Sequence, residues 1–252
     1  MSNIFTKTLA LIYGSQNDAA VLEGAINFSK AFGTQLVIGV TAEGSRNSAS
    51  AISDAISNLV NKPTQITLAD ESYKTAAKMV EDIEADLVVV SNSKHTQSLV
   101  DSLKVPVLSI LKEFKQGLIK NILMPLHDDP GTRQKIPVAT EISKVFGAGI
   151  HVLVVTSNNP EEITKLKTYA YQAEKYIHDK GGRCTYQIET GKKVVDETIR
   201  VGNSSGADLI IIMNERDGGW FNKARSEQIM SGSTVPVLVV EPKDTTISYA
   251  QL

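Results

Sequence analysis

The sequence predicts an α/β protein made of two tandem domains, each a five-stranded, mostly parallel sheet flanked by helices. Two observations lead there. The first is an internal repeat, in which three landmarks return in the same order. FSKAFGTQLVIGVTA (28–42) recurs as ISKVFGAGIHVLVVT (142–156), ADLVVV (85–90) as ADLIII (207–212), and VPVLSIL (105–111) as VPVLVVE (235–241). Their offsets are 114, 122 and 130 residues, so the second copy carries two localised insertions of 8 residues each. The second observation is that short, β-rich apolar runs alternate with segments whose apolar residues recur at helical spacing, the pattern of a doubly wound sheet.

The elements follow in order. TLALIY (8–13) is a near-continuous apolar run, as expected of a central strand covered on both faces by helices. Residues 16–32 place Ala20, Val21, Ala25, Ile26 and Phe28 on one helical face, and Gly33 stands where a helix C-cap favours a left-handed residue. A strand at 36–42, a helix near 48–60, a short strand at 64–68 after Pro63, a helix across 72–84 and strands at 86–90 and 106–111 complete the first copy. The second copy reads as strand 121–126, helix 133–146, strand 150–156, helix 160–180, strand 183–189, helix 193–205 and strands 208–213 and 235–240. The linker falls near 113–120, giving domains 1–115 and 116–252.

Composition narrows the function. The chain has 252 residues, 42% of them apolar, with 26 Lys and Arg against 28 Asp and Glu. Charge is spread evenly over both copies, so bulk electrostatics recruit neither nucleic acid nor an anionic membrane. No apolar stretch reaches the ~18–20 residues of a membrane span, and the start carries no secretory pattern, so a cytoplasmic protein is expected. The single cysteine, Cys184, forms no internal disulfide and no cysteine-based zinc site, and reads as a small buried apolar group.

The ordered set of apolar strand, helix, SKxFG-like turn, strand, ADLIII and VPVLVV, repeated twice, resembles the universal stress protein family in a tandem form covering nearly the whole chain. That resemblance implies five-stranded Rossmann-like domains and an association with stress or starvation responses. It also implies, in one branch, ATP held by a glycine loop after the fourth strand, with a pattern close to G-x2-G-x9-G-[S/T] and an Asp ending the first strand. A second branch lacks the pattern and does not depend on ATP.

Glycines matter in such a loop because phosphates need close, inward-facing backbone N–H groups. Only residues 91–104 separate ADLVVV from VPVLSIL in the first copy, too few for the full pattern. The second copy has residues 213–234, but Met213, Arg216 and Ser226 stand at the glycine positions in the family's register. The aspartate position is Tyr13 in the first copy and His127, followed by Asp128, in the second. Both copies therefore read as degenerate nucleotide sites.

The surviving candidates lie in the second copy. Gly218 and Gly219, with Arg216, Arg225 and Ser226 nearby, could cradle an anion, against the simpler reading of a solvated loop. His127 and Asp128 sit at the carboxyl end of a strand, where open α/β sheets place ligands, although the Asp128-Asp129-Pro130 run is more simply a helix cap. The neighbouring Trp220 and Phe221 pack the loop or face a partner. No catalytic elbow, zinc motif or phosphate-binding P-loop appears, so no catalytic residue and no metal are expected.

The two last strands are expected to pair antiparallel, through Val105, Val107, Leu108 and Ile110 on one and Val235, Val237, Leu238 and Val240 on the other. Pro106 and Pro236 stand at the strand starts, where a missing donor is tolerated. The resulting expectation is a non-catalytic stress protein, a tandem pseudo-dimer binding an unknown protein or small effector without a required cofactor. The alternative is a regulator that binds ATP or another adenine nucleotide through the second domain. The sequence leaves a homodimer open.

Overall fold

The computed structural model describes residues 4–57, 59–112, 114, 119–215 and 223–242. The expected sites Arg216, Gly218 and Gly219, with Trp220 and Phe221 and most of the linker, lie outside the described residues. Two compact units are present, Met1–Gly117 with Thr234–Val239, and Leu118–Ser233 with Val240–Leu252.

In the first unit, strands β1 (Lys7–Ile12), β2 (Gln35–Val40), β3 (Thr64–Thr67), β4 (Leu87–Ser91) and β5 (Val107–Ile110) run parallel in the order β3-β2-β1-β4-β5. Helices α1 (Asp18–Phe32), α2 (Ala42–Asn47), α3 (Ala49–Ser57), α4 (Tyr73–Asp82) and α5 (Thr96–Ser102) make the crossovers. Burial follows position: β4 is buried throughout, β1 in all but its first residue, while the edge strand β3 is largely exposed.

The second unit repeats this with β6 (Asn121–Leu126), α6 (Ile136–Phe146), β7 (Gly149–Thr156), α7 (Pro160–Asp179), β8 (Arg183–Thr190), α8 (Val194–Ser204), β9 (Leu209–Met213) and α9 (Arg225–Gly232). Its strand order is β9-β6-β7-β8, all parallel. The last strand, β10 (Val237–Val240), is gathered mainly into the first unit and pairs antiparallel with β5. Val237 faces Ser109, Leu238 faces Leu108 and Val239 faces Val107. Val105 and Val235, expected in this pairing, precede the strands.

The repeated motifs have local mechanical reasons. Both SKxFG segments end a helix: Gly33 (φ 66°) and Gly147 (φ 67°) cap α1 and α6 in the left-handed conformation that glycine adopts without strain. Both ADL aspartates staple a strand start. Asp86 accepts from the N–H groups of Thr6 (2.7 Å) and Lys7 (2.9 Å), and Asp208 accepts from those of Lys120 (2.9 Å) and Asn121 (3.0 Å). Helices α2, α5 and α9 were not expected as separate elements; each has eight residues or fewer, too few turns to display a helical period.

Candidate functional site

Ligands of open α/β sheets sit beyond the carboxyl ends of the strands. In the first unit β1 is followed by Tyr13 and Gly14, the latter at φ 89°. The buried Asp18 at the start of α1 then fixes the turn, accepting from Gly14 N–H (2.8 Å) and from the hydroxyls of Ser15 (2.6 Å) and Ser48 (2.6 Å). Thr41 caps α2 by accepting from Gly44 N–H at 3.0 Å, which sets Glu43 beside this turn. Gly44 has no room for a side chain, since a Cβ there would lie 2.4 Å from the Ile12 carbonyl oxygen.

Between these turns lies a cavity of about 370 Å³, within the range of small-molecule sites. Tyr13, Glu43, Glu71, Ser91, Lys94 and His95 are among its lining residues. Burial, reinforced by the charges of Glu71 and Asp70, pushes the Tyr13 phenol above its ordinary range. It therefore stays protonated and able to donate at neutral pH. Asp70 itself is held below its usual value, chiefly by hydrogen bonding to Ser72 and Thr75.

The corresponding place in the second unit is nearly full. His127, Lys135, Glu215, Arg225 and Ser226 converge there and leave only about 10 Å³. Glu215 Oε1 is 2.8 Å from His127 Nε2, and Arg225 Nη1 donates to Glu215 Oε2 at 3.0 Å. Lys135 is 1% exposed, its ammonium donating to the Thr132 carbonyl (2.7 Å) and hydroxyl (3.0 Å). Burial lowers Lys135 to about 8, against the raising influence of Glu215 and Asp129. Burial alone would raise Glu215, but the His127 hydrogen bond and the charges of His127, Lys135 and Arg225 hold it below the usual carboxylate value. The carboxylate takes the place that an anionic ligand would need.

The neighbouring candidates are separated by their partners. Asp128 pairs with Lys165, while Asp129 caps the 3-10 turn Pro130–Arg133 by accepting from Gly131 N–H at 2.7 Å. His127, Asp128 and Asp129 are thus turned to three different partners. Ser226 donates to Asn214 at 3.3 Å, within the same filled region. His151 is a face residue of β7, bonded to Thr185 (3.0 Å) and Gln187 (3.1 Å) on β8.

No family model matches the sequence, and no curated protein is similar to it in sequence. Solved structures are similar over almost its full length. A Pseudomonas aeruginosa UCBPP-PA14 protein assigned to the universal stress proteins matches 95% of this chain and 94% of its own, with a TM-score of 0.73 and 17% identity. A universal stress protein from Archaeoglobus fulgidus DSM 4304 matches 96% and 99%, with a TM-score of 0.70 and 17% identity. The chain has the tandem universal stress protein fold.

Within that universal stress protein fold the open strand ends belong to the first unit, whereas the sequence candidates point to the second. The first unit's loop, too short for the phosphate cradle, leaves space open beyond its strand ends. The signal was available in position. Tyr13, Glu43 and Lys94 each follow a strand by one to three residues, where chemistry is expected regardless of glycine motifs.

Proposed function

We propose that the protein is a cytoplasmic, non-catalytic stress-response protein that binds a small effector through its first unit and acts on a partner through that binding. The observation carrying this reading is the contrast between the 370 Å³ cavity at the strand ends of the first unit and the 10 Å³ left in the second. A binding role fits the lining chemistry. Among the described residues, the serine and threonine hydroxyls of the cavity pair with Asp18, with one another or with backbone, and none of them is hydrogen-bonded to an imidazole that could activate it. Glu43 and Glu71 oppose a polyphosphate there, which argues against ATP as the effector.

The test is native mass spectrometry of the purified protein beside Ser93→Trp, which puts an indole into the cavity wall. A retained small molecule in the wild type that is absent from Ser93→Trp supports the reading, as does loss of starvation survival in a deletion strain carrying Ser93→Trp. Steady phosphate release from Mg-ATP that is abolished by Ser93→Trp would overturn the non-catalytic assignment.

A further inference from the structure

Resting on the reading of the first-unit cavity as a ligand site, we infer that it takes a dipolar small molecule, with an ammonium at one end and a carboxylate at the other. The strand order supplies the argument. Reading across the sheet as β3-β2-β1-β4, Glu71 follows β3, Glu43 follows β2, Tyr13 follows β1, and Lys94 and His95 follow β4. The acidic side chains therefore line one wall and the basic ones the opposite wall, with the Tyr13 phenol between them.

These charges are available. Glu71, Lys94 and the His95 ring have no side-chain hydrogen bond or ion pair among the described residues, and Glu43 takes only a 3.3 Å bond from Asn47. The negative wall is felt inside the cavity, because Glu71 and Asp70 both act on the Tyr13 phenol. A cation alone would leave Lys94 facing empty space. A polyphosphate would meet two carboxylates with one lysine to balance them.

Strands β2 and β4 flank β1, so the strand ends that precede Glu43 and Lys94 stand about two strand spacings apart, roughly 10 Å. The ligand class is a compound that presents an ammonium to the acidic wall and a carboxylate to the basic one, as 5-aminopentanoate does.

Calorimetry on the full chain with 5-aminopentanoate, pentylamine and pentanoate tests this. The expected result is that 5-aminopentanoate binds at least tenfold more tightly than either single-ended analogue. Glu71→Gln should then bring 5-aminopentanoate down toward pentanoate while leaving pentanoate unchanged, and Lys94→Ala should bring it down toward pentylamine while leaving pentylamine unchanged. Equal affinity for the three compounds, with binding lost in Ser93→Trp, would overturn the dipolar assignment and leave the cavity as a ligand site. Absence of binding by all three would overturn it too, and a ligand of other chemistry retained through purification and lost in Ser93→Trp would then show that the cavity reading survives.

Discussion

Glu215 Oε1 lies 2.8 Å from His127 Nε2, joining the residue after β6 to the loop that leaves its sheet neighbour β9. Arg225 pairs with the other carboxylate oxygen, and the buried Lys135 ammonium, bonded to Thr132, adds its charge nearby.

Removing that carboxylate should be severe. Glu215→Ala removes the carboxylate that holds His127 and Arg225 and acts on Lys135, and loss of one partner from a buried pair costs about 3–5 kcal/mol. Glu215→Gln keeps the shape and one acceptor, so its loss should be smaller. Urea unfolding of both variants checks the order, and an alanine variant as stable as the wild type would refute the role given to Glu215.

Lys135 gives a pH signature. Its folded value of about 8 lies below the ordinary 10.5, so between those values the unfolded chain keeps a proton that the folded chain has released. Stability from this group therefore rises as pH climbs from about 8 to 10.5, by roughly 3 kcal/mol in full, and is least below 8. Lys135→Met should abolish this slope. Unfolding curves at pH 7.5, 9 and 10.5 for both chains should show the wild type gaining on the variant; parallel curves would contradict the prediction.

Gly44→Ala should destabilise the first unit by about 1–3 kcal/mol, because its Cβ would meet the Ile12 carbonyl carbon at 3.0 Å and its oxygen at 2.4 Å. Backbone is what it strikes, so relief requires moving α2 from β1 and with it Glu43 from the cavity. The denaturation midpoint should fall, and 5-aminopentanoate affinity should fall with it. An unchanged midpoint would mean that α2 shifts freely.

Cys184 should be inert in the native protein. Burial, with Glu174 adding to it, pushes the thiol up to about 12, leaving almost no thiolate near neutrality. A disulfide exchange reagent at pH 8 should react slowly with the folded chain and rapidly in denaturant. Rapid native reaction would place the thiol in solvent.

How far the sequence could be read depended on whether a residue's role was local. The SKxFG turns and the ADL landmarks were visible because a left-handed cap and a strand staple act within one or two elements. Lys135 was invisible as a buried charge: in sequence it is one lysine on an amphipathic helix, and only the meeting of α6 with β9 gives it Glu215 as a neighbour. The cavity escaped for the opposite reason. Phosphate motifs announce what a loop holds, whereas the first unit's site is formed by what its short loops leave uncovered.

The antiparallel partner of β5 also sets a timetable for synthesis. Residues 234–239 complete the first unit, yet they leave the ribosome after the whole of residues 118–233. At ~5–20 residues per second, the edge of β5 waits roughly 10 s for its last neighbour. During that interval the growing chain presents a short apolar strand, Val107–Ile110, with an unpaired ladder on one side. Chaperone capture during translation should therefore centre on β5 and end only when residues 237–239 emerge to pair with it.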